Sequence, residues 1–137
     1  MNINKKKVIG FIVIVLLIGG GFFAKYIFSV NSYQAKVKTM EVSNIDLSQI
    51  PDGTYVGDCD VEFIYAKVQV TVANGTISDV KLLEHKNERG QSAEVIVNKM
   101  IEENIIDVDS VSGATNSSRV IKKAAENALL SAKTQNE

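Results

Sequence analysis

The strongest constraint on this chain is an apolar run near its start. Val8 to Ala24 is 17 residues without a charged side chain, and continuing through Lys25 to Phe28 makes 21 residues. A helix of that length is about 30 Å long, which is enough to cross the hydrocarbon core of a membrane. A helix on the surface of a soluble domain has a polar face, which this run lacks. The run therefore predicts one transmembrane helix within residues 1–28.

The residues that flank the run predict its orientation. Lys5, Lys6 and Lys7 precede it, and lysines next to a span remain on the cytoplasmic side. We therefore expect a single-pass anchor in the cell membrane, with the N-terminus cytoplasmic and the following domain extracytoplasmic. A cleaved signal peptide is the alternative, because a basic start, an apolar stretch and the small residues Gly19 to Gly21 also fit one. No clean Ala-x-Ala site follows the run, which favours the anchor.

The charge and the cysteine content of the remaining chain exclude several classes of function. Positions 29–137 hold 11 basic and 16 acidic residues, a formal charge of −5. An acidic domain lacks the basic stripe that nucleic acids require, so we expect no nucleic-acid partner. Cys59 and His85 are the single cysteine and the single histidine. They are too few for an internal disulfide or a Cys/His zinc site, and we expect no metal centre.

The remaining chain divides into a lead-in, a domain and a tail. Residues 29–51 are mixed and polar and predict a stalk or linker, a domain follows over 52–133, and 134–137 form a tail. Thr54 to Cys59 predicts a first strand, and the alternation from Ala66 to Val72 predicts a half-buried second strand. Asn74-Gly75 predicts a type I′ hairpin turn. The returning strand, Ile77 to His85, changes register around Ser78-Asp79, which predicts a β-bulge.

Helical spacing follows the sheet. Ala93, Ile96, Val97, Met100 and Ile101 form one apolar stripe, with Ser92 as the expected N-cap and Glu94 in the first turn. Ile105 to Val111 is a second extended candidate, and a final amphipathic helix is expected at about Ser117 to Ala132. The fold class predicted is α+β: a small antiparallel sheet with two helices packed on one side, preceded by the N-terminal transmembrane helix.

The segment from Asp109 to Ser118 is rich in hydroxyl groups and small residues. A glycine-containing turn that enters a helix points free backbone N–H groups at one spot, which favours a phosphate. The alternative is an ordinary loop in which Ser117 or Thr115 caps the helix.

The motif formed by Asp109, Ser112, Gly113, Ala114 and Thr115 resembles Asp-x-x-Ser-Gly-Ala-Thr of the FMN-binding domain family. That family occurs in extracytoplasmic electron carriers and in membrane subunits of the sodium-translocating NADH:quinone oxidoreductase and its ferredoxin-dependent relatives. The resemblance spans about residues 52 to 132, including Asp52 to Tyr55, Gly57 and the Asn-Gly hairpin. It implies that a flavin transferase joins the FMN phosphate to the hydroxyl of Thr115.

The same resemblance implies further cofactor-binding residues. Ser112, Gly113 and Ala114 would surround the ester, with Gly113 allowing close approach, and Asp109 would be recognised by the transferase or cap the turn. His85 and Gly90 match the family's loop after the second strand of the hairpin. His85 could contact the isoalloxazine or be an incidental polar residue. Tyr55, Phe63 and Tyr65 could stack on the flavin, although their alternation favours packing on the sheet.

These features predict an electron carrier in which FMN does the chemistry. No acid, base or nucleophile constellation is visible in the sequence, so we expect no catalytic residues and no substrate-specific enzyme. The expected partners are the flavin transferase, a membrane electron donor and an extracytoplasmic acceptor. Two alternatives remain open: the same site binding FMN noncovalently, and a flavin-free anchored module for interaction or assembly.

Overall fold

The structure is a computed structural model that describes residues 4–134. The chain divides into two compact units, Met1–Ser32 and Tyr33–Glu137. In chain order the elements are the helix α1 (Lys5–Thr39), a short 3-10 turn (Leu47–Gln49), the strands β1 (Gly53–Asp60), β2 (Tyr65–Ala73) and β3 (Thr76–Lys86), a second 3-10 turn (Gln91–Val95), and the helices α2 (Ile96–Glu103) and α3 (Thr115–Thr134).

The first unit is the apolar part of α1. Its side chains are exposed on every face, and large apolar ones such as Phe11, Leu16 and Phe22 are more than half exposed. By length and composition this helix is a candidate membrane span, and a signal sequence would have the same properties. The structure therefore confirms that the apolar run near the N-terminus is helical.

The second unit contains a three-stranded antiparallel sheet in the order β1, β2, β3. Along the central strand, buried and half-buried residues alternate, as the sequence predicts. Val68 and Val70 are completely buried because their face of the sheet is covered by helices. The fold is the predicted α+β arrangement, a small antiparallel sheet with helices and a long apolar helix before it.

The hairpin between β2 and β3 confirms both details that the sequence predicts. Asn74 and Gly75 have φ angles of 52° and 71°, the left-handed conformation that a type I′ turn requires. Thr71 pairs with Asp79 and Val72 pairs with Ile77, so Ser78 is the extra residue of a bulge. The bulge keeps Ile77 and Val80 on the buried side although the simple alternation breaks.

Helix α3 packs on the sheet through small residues. Ala124, Ala128 and Leu129 are completely buried, and the predicted apolar stripe is confirmed. The helix begins at Thr115, two residues before the predicted start. A Cβ atom on Gly57 of β1 would lie 2.8 Å from the Cα of Ala128 and 2.5 Å from the carbonyl oxygen of Ala124. The strand and the helix are therefore in backbone contact at Gly57.

Two local predictions are wrong. Ser92 is not the N-cap of α2: a 3-10 turn starts at Gln91, the N–H of Ala93 bonds to the carbonyl of Gly90 at 2.9 Å, and α2 begins only at Ile96. Ile105 to Val111 is not a strand. Ile106 and Val108 are buried, but the carbonyl of Val108 accepts from the Lys122 side chain instead of a neighbouring strand. The segment is therefore partly buried without being a strand.

The segment expected to be a stalk contributes to the core. Val37, on the last turn of α1, is completely buried, and Leu47 and Ile50 are also buried. The guanidinium of Arg119 donates to the carbonyls of Val37 and Lys38, each at 3.1 Å. These apolar residues are widely spaced among polar ones, so no periodic pattern marks them in the sequence.

We expect Val37→Ala to destabilise the folded domain by about 1–3 kcal/mol, because it removes buried methyl groups and leaves a cavity. The matched control is Val95→Ala, which truncates a valine that is 54% exposed and should cost less than about 0.5 kcal/mol. Denaturant unfolding of both variants measures the difference. Equal midpoints would mean that residues 29–51 are only a stalk.

We expect Gly57→Ala to cost about 1–3 kcal/mol, because its Cβ would overlap the backbone of Ala128 and force β1 and α3 apart. Gly53→Ala on the same strand is the control, since its new Cβ would approach only the movable end of the Tyr55 ring, at 3.0 Å. The unfolding midpoints of the two variants should differ clearly. A Gly57→Ala protein as stable as the Gly53→Ala protein would show that this close contact is dispensable.

Candidate functional site

The hydroxyl-rich segment forms a turn that leads directly into α3. The N–H of Ala114 bonds to the carbonyl of Val111 at 3.0 Å, and the N–H of Ser118 bonds to the carbonyl of Ala114 at 2.9 Å. Gly113 has a φ of 80°, a conformation that costs a residue with a Cβ about 1–2 kcal/mol. A Cβ on Gly113 would meet nothing within 4 Å. The backbone conformation of the turn therefore by itself favours glycine at position 113.

The first turn of α3 presents unused hydrogen-bond donors. Within residues 4–134, the backbone N–H groups of Thr115, Asn116 and Ser117 have no hydrogen-bond acceptor. These are the groups that an α-helix leaves unpaired at its N-terminus, where the helix dipole is positive. Neither Thr115 nor Ser117 caps this end with its hydroxyl in the part of the chain described. The turn therefore has the donors and the field that stabilise an anion.

One buried hydroxyl holds the turn in place. The side chain of Ser118 is completely buried, and its Oγ accepts a hydrogen bond from the N–H of Val111 at 3.0 Å. This bond joins the start of the turn to the first turn of the helix, so the intervening residues have a defined position. Ala114 is also buried, whereas Ser112, Gly113 and Thr115 are exposed.

Thr115 lies in an open pocket of about 390 Å³, within the size range of small-molecule sites. We call it the Thr115 pocket. Three parts of the chain line it: the turn and helix start at 113–117, the loop at 88–90, and an apolar group of Tyr33, Phe63 and Ile64. Of the predicted site residues, the Thr115 pocket brings together Gly90, Gly113, Ala114 and Thr115.

Gly90 lets the loop approach the helix start. A Cβ on Gly90 would lie 2.5 Å from the Cβ of Ser117 and would overlap its Oγ. The N–H of Gly90 donates to the side chain of Asn87 at 3.0 Å, which fixes the loop. Arg89 lies next to this contact and is exposed, and its guanidinium has no hydrogen-bond or ion-pair partner within residues 4–134.

His85 lies outside the Thr115 pocket. Its side chain is only 2% exposed, and its Nδ1 is 3.0 Å from the Glu94 carboxylate and 3.3 Å from the Asn87 amide nitrogen. No acceptor or donor reaches its Nε2 among the described residues. His85 thus connects β3 with the following 3-10 turn, and Asn87 links it to Gly90. It does not line the pocket that holds Thr115.

Asp109 and Ser112 do not line the Thr115 pocket either. Asp109 lines a separate polar groove together with Arg119 and Lys122. Its exposed carboxylate makes no hydrogen bond within residues 4–134, so it does not cap the turn. Cys59 lies in neither cavity, and burial raises the pKa of its thiol, which disfavours the reactive thiolate.

The sequence analysis missed several residues of the Thr115 pocket. Tyr33 was assigned to the stalk, and Ile64, Glu88, Asn116 and Ser117 were not given a role toward a cofactor. The hydroxyl-rich segment indicated where α3 starts. Nothing in the sequence near Tyr33 indicates that this residue lines the same pocket as the helix start. Phe63 was considered as a stacking residue, and it does line the Thr115 pocket.

Comparison with known proteins finds a family match over most of this domain. The profile of the FMN-binding domain family matches residues 64–130, which contain β2, β3, α2, the motif turn and most of α3. A search of curated proteins finds no match. Residues 64–130 therefore match the FMN-binding domain family, and this match indicates FMN as the cofactor.

Proposed function

We propose that this protein is a membrane-anchored extracytoplasmic electron carrier with FMN linked through its phosphate to Thr115. In this proposal a flavin transferase attaches the cofactor, a membrane donor reduces it and an extracytoplasmic acceptor reoxidises it. When bound, FMN supplies reversible uptake of electrons. The observation that carries the proposal is Thr115 itself, an exposed residue at the first position of α3, inside the Thr115 pocket and within the matched family segment.

The residues of the Thr115 pocket fit the two chemically different parts of FMN. A phosphodiester carries one negative charge, which three unpaired N–H groups and the positive end of α3 stabilise without a basic side chain. Space is open beside Gly113, and Arg89 adds a cation to the pocket lining, next to the acidic Glu88. The apolar lining residues suit a planar ring.

The attachment would be a substitution at phosphorus. The hydroxyl oxygen of Thr115 forms a bond to the FMN phosphorus of a flavin dinucleotide, the pyrophosphate bond breaks, and the nucleoside monophosphate leaves. The hydroxyl proton passes to the base of the transferase, and no electron is transferred. Ester attachment suits a carrier in a dilute compartment, because a cofactor held only by equilibrium binding is lost when its free concentration is low.

The anchor is the second part of the proposal. The apolar segment of α1 is long enough to span a bilayer, and Lys5 to Lys7 favour a cytoplasmic N-terminus. The folded unit from Tyr33 onward would then lie outside the cytoplasm, where a membrane donor can reach its cofactor.

Thr115→Val should abolish covalent flavin attachment, because valine keeps the shape of the side chain and removes the oxygen that forms the ester. The full chain is produced together with a flavin transferase, denatured and measured by intact mass with peptide mapping. The unsubstituted protein should gain the mass of FMN minus water on the peptide that contains Thr115. Thr115→Ser should keep this gain, and Thr54→Val, an exposed threonine on β1, should not change it.

The other outcomes separate the alternatives. A Thr115→Val protein that keeps its flavin after denaturation would contradict the attachment site. A yellow native protein with no mass gain would indicate noncovalent FMN, and a colourless one would indicate the flavin-free module. The hydroxyl of Thr115 makes no hydrogen bond within residues 4–134, so the valine variant should remain folded.

The anchor predicts that the full chain resists extraction from membranes by an alkaline wash and that peptide mapping recovers residues 8–24 from the mature protein. Replacing both Leu16 and Leu17 by arginine should abolish stable insertion, since each arginine near the middle of a span costs about 2.5–3.5 kcal/mol. Leu130→Arg, at a leucine of α3 that is 43% exposed, should leave membrane retention unchanged. Loss of residues 8–24 from a soluble mature protein would instead show a cleaved signal peptide.

A further inference from the structure

Two aromatic side chains line one part of the Thr115 pocket. The ring centroids of Tyr33 and Phe63 are 4.9 Å apart, and the ring planes are inclined by 44°. Both residues are half-buried and both line the pocket. The Thr115 pocket therefore combines an aromatic surface with the N–H groups of a helix start.

Neither aromatic residue lies in the segment that matches the family. The match covers residues 64–130, whereas Tyr33 is on α1 and Phe63 is in the connection between β1 and β2. The family match therefore does not assign a role to these two residues.

The same helix that begins at Thr115 also fixes the position of Tyr33. Val37, one helical turn after Tyr33, is completely buried and lies on the same side of α1. Arg119, one turn after Thr115 on α3, donates to the carbonyls of Val37 and Lys38 at 3.1 Å. These carbonyls are at the C-terminus of α1, where a cation is also favoured by the helix dipole. The Arg119 side chain thus joins the last turn of α1, one helical turn after Tyr33, to the N-terminal part of α3.

We propose that Tyr33 and Phe63 form the surface against which the isoalloxazine ring of FMN packs. The inference rests on the proposed function, because it takes the phosphate to be bound at Thr115. A planar ring gains free energy when its faces leave water and contact other aromatic rings. Tyrosine also donates an electron to a photoexcited flavin and phenylalanine does not, so contact with Tyr33 quenches flavin fluorescence.

The test compares full-length proteins matured with the transferase: unsubstituted, Tyr33→Phe, Tyr33→Leu, the Tyr33→Leu/Phe63→Leu double variant, and Tyr65→Leu as control. Tyr65 is a half-buried aromatic residue on β2 that does not line the Thr115 pocket. The intact mass of each denatured protein first establishes that it carries one FMN. Circular dichroism of the native protein establishes that it is folded. Native flavin fluorescence and visible absorption are then compared with the same sample after unfolding.

We expect strong quenching in the unsubstituted protein and in Tyr65→Leu. Tyr33→Phe should raise native fluorescence several-fold while leaving the absorption bands unchanged, because the ring contact persists without the electron donor. The double variant should approach the fluorescence and absorption of the unfolded protein. A folded, flavin-loaded double variant that is quenched like the unsubstituted protein would overturn the proposal.

Failure of covalent attachment is recognised separately, as absence of the mass gain in the unsubstituted protein. In that case the same proteins are titrated with free FMN. Weaker binding by the double variant than by the Tyr65→Leu control would support the aromatic surface. Equal binding, or no binding by any of them, would overturn it.

Discussion

The close packing of α3 on the sheet is the contact on which the rest of the domain depends. Gly57 allows the backbone of β1 to touch α3 near Ala128, and small buried alanines along the helix keep the two layers close. A larger residue at Gly57 would move the helix as a body. Because α3 begins at Thr115, any movement of the helix also moves the turn, its unpaired N–H groups and one wall of the Thr115 pocket.

The N-terminal half of α3 also organises the irregular parts of the chain. Ser118 bonds to the motif turn, Arg119 bonds to the end of α1, and the buried Lys122 bonds to the side chain of Asp107 at 2.7 Å and to the carbonyl of Val108. Segments without strand or helix partners must still satisfy their buried backbone groups. Three nearly consecutive side chains do so here, which explains why an irregular connection can hold a defined site.

Much of the fold is predictable because it depends on local patterns. Three such patterns each indicate a backbone conformation directly. They are the alternation along β2, the Asn74-Gly75 pair, which favours positive φ, and the break in the alternation at Ser78. The hydroxyl-rich turn before an amphipathic helix indicated only a possible phosphate site, and Thr115 became the candidate attachment point through the resemblance of residues 109–115 to the family motif. The errors occur where apolar residues are buried by distant contacts: Ile106 and Val108 lie in a segment that was expected to be extended, and they are buried without forming a strand.

The sequence by itself determined the apolar span, the hairpin, the helical stripe of α3 and the motif around Thr115, since these are properties of neighbouring residues. Only the tertiary structure decided which distant residues meet there. It brought Tyr33 and Phe63 to the Thr115 pocket and left the side chain of His85 buried outside that pocket. It also placed Val37 in the core. The reason is physical: spacing along the chain encodes backbone conformation, whereas pocket walls depend on how separate elements dock.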